Sequence, residues 1–68
     1  MSEKTTVEYY GDSLLVKLIG SVDVPAKRKI EAAQYIGKAI CKALGLNTME
    51  AVLIDENGNK TDQIVVWR

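Results

Sequence analysis

One segment of this sequence has the pattern of a long helix, and it limits what the rest of the chain can form. Between Pro25 and Gly45, apolar residues recur every three to four positions, the period of an amphipathic helix. The segments on either side alternate between apolar and polar residues, the period of β-strands. Because one helix covers only one face of a sheet, the sequence predicts an α+β domain in the order ββαββ. Its four-stranded antiparallel sheet would have one long helix packed on one face.

We expect a single domain over residues 1–68, since a chain this short has one core at most. Turn signals and patterning divide it into a disordered N-terminus at 1–4, a β-hairpin at 5–19, the helix at 24–44 and a second β-hairpin at 49–68. Asn57-Gly58 is the turn signal of the second hairpin. The polar stretch around it, Asp55 to Asp62, resembles a calcium loop, but its glycine is at position 4 instead of 6. We therefore interpret it as a hairpin turn.

Gly11-Asp12 predicts the turn of the first hairpin. A two-residue turn at this position would pair Tyr9 with Leu14 and Val7 with Val16. This register predicts a core face made of Val7, Tyr9, Leu14, Val16 and Leu18. Thr6, Glu8 and Tyr10 would then point to the other side.

The ends of the helix are predicted from capping chemistry. Asp23 is placed to act as N-cap, Pro25 falls in the first turn, and Gly45 follows as a C-terminal stop. At about 100° per residue, one stripe of the helix is expected to cover the sheet. That stripe consists of Ala26, Ile30, Ala33, Gly37, Ile40 and Leu44, with Cys41 at its edge.

The two flanks of this stripe differ. One is polar and should face solvent; it holds Lys27, Glu31, Gln34, Lys38 and Lys42. The other, the small-residue flank, holds Ala32, Ile36, Ala39 and Ala43, at the spacing of a helix–helix seam. Since the chain has one helix, a seam would need a second copy, and we expect a homo-oligomer. The alternative is that these alanines are simply good helix formers on a half-exposed surface.

The composition argues against enzymatic chemistry. The chain has no His and one Cys, which excludes Ser-His-Asp and Cys-His arrangements, an internal disulfide and a Cys/His zinc site. Cys41 lies late in the helix, where the dipole disfavours a thiolate, so we interpret it as core filler. We expect no enzyme activity and no catalytic, cofactor-binding or metal-binding residues.

Basic and aromatic residues give two sets of candidate contacts. The segment from Asp23 to Gly45 has five basic and two acidic residues, a net charge of +3 in a chain whose net charge is zero. Its cations are candidate phosphate contacts: Lys27, Arg28, Lys29, Lys38 and Lys42. Exposed aromatic side chains are enriched at protein interfaces, and the candidate partner contacts are Tyr10, Tyr35 and Trp67.

These features favour a small, non-enzymatic, homo-oligomeric regulatory protein that docks onto another protein. Chains of this size include inhibitors from phages and other mobile elements. The alternative is a nucleic-acid-binding module that uses the basic helix face, and the third hypothesis is small-molecule binding between subunits. The longest apolar runs have four residues, far short of the ~20 that span a bilayer, so we expect no membrane partner and a cytoplasmic location.

Overall fold

The computed structural model describes residues 4–11 and 17–68. Its elements are β1 (Lys4–Gly11), β2 (Leu18–Pro25), a 3-10 turn (Ala26–Arg28), α1 (Lys29–Leu44), β3 (Thr48–Ile54) and β4 (Lys60–Trp67). The predicted α+β class, the ββαββ order and the antiparallel sheet of four strands are confirmed for this part of the chain. Lys4 already belongs to β1, so order begins earlier than predicted; residues 1–3 lie outside the described residues.

The sheet has the strand order β2-β1-β3-β4, and all three neighbouring pairs are antiparallel. The two hairpins are therefore joined through the central pairing of β1 with β3, in which Tyr10 lies opposite Glu50. Strands β2 and β4 form the two edges. This order brings the first and last strands of the chain into one sheet, with α1 on one face.

The core lies between α1 and this face. Its buried apolar side chains are Val7, Tyr9, Val24, Ala33, Cys41, Met49, Ala51, Leu53 and Val66. The hydroxyl of Tyr9 donates a hydrogen bond to the backbone carbonyl of Ala33, with 2.7 Å between the oxygens. A Cβ on Gly37 would lie 2.8 Å from Cγ1 of Val66, so the absence of a side chain there lets α1 approach the sheet.

The predicted register of the first hairpin is wrong. Val7 pairs with Val22, Tyr9 with Gly20 and Tyr10 with Leu18, with a bulge between the last two pairs. This pairing buries Val24 and half-buries Val22 under α1, whereas the predicted one would leave both without a strand partner. Leu18 consequently lies on the face away from the helix. The predicted turn residue Asp12 and the predicted core residues Leu14 and Val16 lie outside the described residues.

The start of the helix also differs from the prediction. Asp23 is a β2 residue, and its Oδ1 accepts a hydrogen bond from the Thr6 hydroxyl at 2.9 Å instead of capping the helix. Pro25 is the last residue of β2, with extended backbone angles (φ −62°, ψ 132°). Because the chain stays extended through Pro25, the α-helix begins at Lys29, after the 3-10 turn, and not at Val24.

The end of the helix is confirmed at Gly45, which has a left-handed φ of 71° and donates its N–H to the Cys41 carbonyl. Leu44, predicted to cover the sheet, is exposed in the last helical turn. After the glycine cap the chain turns back, and the N–H of Leu46 donates to the same carbonyl at 2.9 Å. Leu46 is partly buried against the core, in place of Leu44.

Candidate functional site

The face of the sheet opposite α1 has no helix over it within the described residues; we call it the open face. One end of it is apolar. Leu18, Val65 and Trp67 are large side chains that remain 51%, 52% and 66% exposed, and Tyr10 beside them is half-buried. Leu18 lies opposite Tyr10, while Val65 and Trp67 are two positions apart on β4. The exposed Glu50 lies between these two pairs, opposite both Tyr10 and Val65. We call these four side chains the apolar end.

Hydrogen-bonded polar side chains border the apolar end. The Tyr10 hydroxyl donates to Oε1 of Glu8 at 2.8 Å, and this bond contributes most to raising the pKa of Tyr10. Nε2 of Gln63 donates to Oε2 of Glu50 at 3.3 Å, and the ammonium of Lys60 donates to Oε1 of Gln63 at 3.0 Å. An apolar patch with a rim of this kind is typical of protein interaction surfaces.

The basic residues of the helical segment do not form one surface. Lys38 and Lys42 are exposed four residues apart on α1, whereas the exposed Lys27 and Arg28 lie in the 3-10 turn before the helix. The exposed Glu31 lies in the first turn of the helix. Lys29 lies on a different side. Its ammonium is 2.9 Å from Oδ2 of Asp62 in β4, and this contact lowers the pKa of the Asp62 carboxyl.

The small-residue flank is only partly exposed. Ala39 and Ala43 are exposed, whereas Ala32 and Ile36 are half-buried and pack against the core. Lys29, Ile36 and Ala43 are spaced by seven residues and lie nearly above one another on the helix. Since Lys29 contacts β4, this flank lies on the β4 side of the helix.

The three predicted aromatic contacts are divided between two surfaces. Tyr10 and Trp67 share the open face, where Trp67 lies opposite Thr48. Tyr35 is 79% exposed on the outer side of α1. Leu18 was predicted to lie in the core and is instead exposed beside Tyr10, and Val65 was not predicted as a contact. The strand period of β4 could have identified Val65, because residues two positions apart share a face with Trp67.

Groups suited to catalysis or ligand enclosure are scarce in the described residues. Cys41 is a free thiol but is completely buried. Asp55 is engaged in its own turn, where Oδ1 accepts the backbone N–H groups of Asn57 and Asn59, each at 2.9 Å. Residues 4–11 and 17–68 contain no cluster of three or more acidic, Cys or His side chains suited to a metal ion.

A shallow cleft lies beside the start of the helix, with a volume of about 230 Å³. This is below the ~300–1,000 Å³ of most small-molecule sites. It is lined by Lys4, Thr5, Ala26, Lys29, Asp55, Glu56 and Asn57. Its mixed charges do not define one class of ligand.

Comparison with protein-family models, curated proteins and solved structures gives no match to this chain. In the described ranges, no helix is long and apolar enough to cross a membrane.

Proposed function

We propose that this protein is a non-enzymatic binding protein that docks another protein onto the open face of its sheet. The observation that carries the proposal is the apolar end, where three large side chains are more than half exposed beside Tyr10. Tryptophan and tyrosine contribute disproportionately to protein binding, and groups of exposed apolar side chains rimmed by polar residues mark interaction sites. The rim of hydrogen-bonded Glu, Gln and Lys side chains would supply the polar periphery of such an interface.

The experiment is affinity capture from the native host with two variants. Each variant changes one exposed aromatic residue, one on the open face of the sheet and one on the outer side of the helix. Trp67→Ser removes the largest side chain of the apolar end, and Tyr35→Ser is the matched control on the outer side of the helix. A protein captured by the wild type and by Tyr35→Ser, but lost with Trp67→Ser, supports the proposal. Capture that is equal for both variants, or lost only with Tyr35→Ser, contradicts it.

A nucleic-acid function remains the second candidate, and it is favoured by one observation. Lys38 and Lys42 are exposed one turn apart on the helix, and Lys27 is exposed in the 3-10 turn that precedes it. Such a surface would contact phosphates, with binding that falls steeply as salt increases. A mobility-shift titration at about 50 mM salt tests it, since electrostatic attraction is strong there. Binding that Lys38→Gln weakens would favour this candidate, and no binding would exclude it.

Small-molecule binding between subunits is the third hypothesis. It predicts a ligand-induced rise in melting temperature. The cytoplasmic location also remains a proposal. It is supported by the buried free thiol of Cys41, which is typical of reducing compartments.

A further inference from the structure

Strand β4 has a free edge within the described part of the chain, because only β3 pairs with it. The backbone N–H of Arg68 donates to the carbonyl of Asn47, on the β3 side, at 3.0 Å. In an antiparallel strand, successive residues direct their backbone groups to opposite sides. Gln63, Val65 and Trp67 therefore direct their N–H and C=O groups away from β3, toward the free edge.

The other edge of the sheet and the start of β4 have features that discourage strand pairing. Strand β2 contains Gly20 and Pro25, and its register with β1 is interrupted by a bulge. The register of β4 shifts near Lys60, and the charged Asp62 faces the helix side. Residues 63–67 have no proline, no charge and no register shift. This half of β4 is therefore the best template for another strand.

We propose that the occupant is a second copy of the same chain, whose β4 pairs antiparallel with this β4 about a two-fold axis at Val65. The sequence of β4 is self-complementary in this pairing. With Val65 opposite Val65 of the second copy, Ile64 lies opposite Val66 on the helix side. On the same side, Asp62 lies opposite Arg68 of the second copy. The two-fold axis repeats this pair, so the interface contains two pairs of opposite charge. Cross-strand pairs of these kinds stabilise antiparallel sheets.

Neighbouring registers are less favourable. Moving the axis to Ile64 would place the Asp62 carboxylate opposite Val66, and Lys60 opposite the like-charged Arg68. Moving it to Val66 would place the charged Arg68 opposite the apolar Ile64, so the pairing of Arg68 with Asp62 would be lost. Of these registers, a two-fold axis at Val65 is the one that pairs Ile64 with Val66 and Asp62 with Arg68 on the helix side.

The dimer would be a continuous sheet of eight strands with both helices on one face. The small-residue flank of each helix lies on the β4 side and would face the axis. On the other face, the Val65 side chains of the two copies would adjoin and Trp67 of each copy would lie opposite Gln63 of the other, so the apolar ends would lie on one surface. The strand pairing does not depend on the proposed docking function, although it would double the surface that serves it.

The first test compares two changes at one edge residue. Gln63→Pro removes a backbone N–H that points to the free edge and leaves the β3 ladder intact, whereas Gln63→Ala keeps this N–H and removes the same side chain. Sedimentation should show a wild-type dimer. Because each dimer loses two hydrogen bonds, Gln63→Pro should weaken dimerisation by about tenfold or more, and Gln63→Ala by no more than about threefold.

Circular dichroism of both variants checks that the fold is retained. A wild type that stays monomeric at millimolar concentration would overturn the proposal. The proposal would also be overturned if Gln63→Pro and Gln63→Ala were both folded and weakened dimerisation equally.

The second test fixes the register and does not depend on affinity alone. Residues directly opposite in a hydrogen-bonded antiparallel pair have Cα atoms about 5.5 Å apart, which a disulfide can span. Val65→Cys should therefore form a covalent dimer under mild oxidation. Gln63→Cys should not, because its two copies would be about 13 Å apart along the strands. Cys41 is buried and does not compete.

Equal cross-linking of the two variants, or none in either, contradicts this register.

The third test addresses charge. Arg68→Glu would place two carboxylates opposite each other at both ends of the interface, whereas Arg68→Lys keeps the attraction. We expect Arg68→Glu to weaken dimerisation by about tenfold at low salt, and less as salt screens the charges. An Arg68→Glu variant that dimerises as well as Arg68→Lys contradicts the pairing of Asp62 with Arg68.

The outcomes separate this inference from the proposed function. A monomeric wild type that still loses its captured protein with Trp67→Ser would overturn the dimer and support docking. A wild-type dimer that cross-links through Val65→Cys, but whose captured proteins are unaffected by Trp67→Ser, would support the dimer and contradict docking on the apolar end.

Discussion

Gly37 allows the helix to lie close to the sheet because it has no side chain. A Cβ at this position would be 2.8 and 2.9 Å from the two methyl groups of Val66 and 3.1 Å from Cε1 of Tyr9. Distances below 3.0 Å require something to move, and both neighbours are completely or almost completely buried. Close packing of the helix on the sheet therefore depends on one residue that is otherwise unfavourable within a helix.

We expect Gly37→Ala to lower the free energy of unfolding by about 1–2 kcal/mol. Over-packing costs about 1–3 kcal/mol and is only partly offset by the better helix propensity of alanine. Urea denaturation at one fixed protein concentration measures the change. Gly20→Ala is the matched control, because a Cβ there has no neighbour within 4 Å. Two equally stable variants would show that the contact with Val66 does not restrict this position.

At the scale of elements, the β3–β4 hairpin is closed by a turn that Asp55 organises. Its carboxylate accepts the N–H groups of Asn57 and Asn59, and its own backbone N–H donates to the Asn59 carbonyl at 2.9 Å. Gly58 follows with a φ of 85°, which favours glycine. The turn chemistry is thus contained within five consecutive residues.

We expect Asp55→Ala to destabilise the protein by about 1–2 kcal/mol, because it removes two side-chain hydrogen bonds to backbone N–H groups. Glu56→Ala, at the neighbouring exposed position, should change stability by less than about 0.5 kcal/mol. Thermal unfolding of both variants measures the difference. Equal melting temperatures would contradict the role assigned to Asp55.

The elements that the sequence predicted are those defined by local chemistry. Gly58 in the second hairpin turn and Gly45 at the end of the helix have positive φ angles, which glycine adopts because it has no Cβ. The positions of this turn and of the helix end were predicted correctly. The register of the first hairpin depends on which valines the helix buries, and this is decided by residues far apart in the chain. Alternation alone did not distinguish pairing of Val7 with Val16 from its observed pairing with Val22.

The candidate site was predicted in part for the same reason. Trp67 and Tyr10 were identified by residue type, which is visible in the sequence. Their position on one face with Leu18 depends on a bulge and on the strand order. Neither has a local signal, so the apolar end as a surface could not be predicted.

At the scale of the whole molecule, Tyr9 connects the two layers. Its ring is completely buried in the sheet, and its hydroxyl donates to the carbonyl of Ala33 in the helix. Burial raises the pKa of Tyr9 to about 12 from its ordinary value of 10.0, because the phenolate would lose its hydration. The folded protein therefore retains the Tyr9 proton at pH values where the unfolded chain releases it.

This difference predicts a specific loss of stability in alkali. The contribution of Tyr9 is fully present below about pH 10 and is lost as the pH rises toward 12, a total of about 2–3 kcal/mol. Tyr9→Phe cannot ionise, so its stability should fall less over this interval, although it is lower at neutral pH by about 1 kcal/mol. Urea titrations of both proteins at pH 8, 10 and 11 measure how the free energy of unfolding of each changes with pH. If the free energies of unfolding of the two proteins fell in parallel between pH 8 and 11, a raised pKa of Tyr9 would be contradicted.

The central pairing of β1 with β3 has a consequence for how the chain folds. Each hairpin brings together residues that are near in sequence, but Tyr10 and Glu50 meet only when a loop of forty residues closes. Closing long loops costs entropy before it yields contacts, and such pairings slow folding. The two hairpins and the helix should therefore form early and reversibly. The rate-limiting step of folding should be the joining of β1 to β3, with the helix folded inside the closing loop.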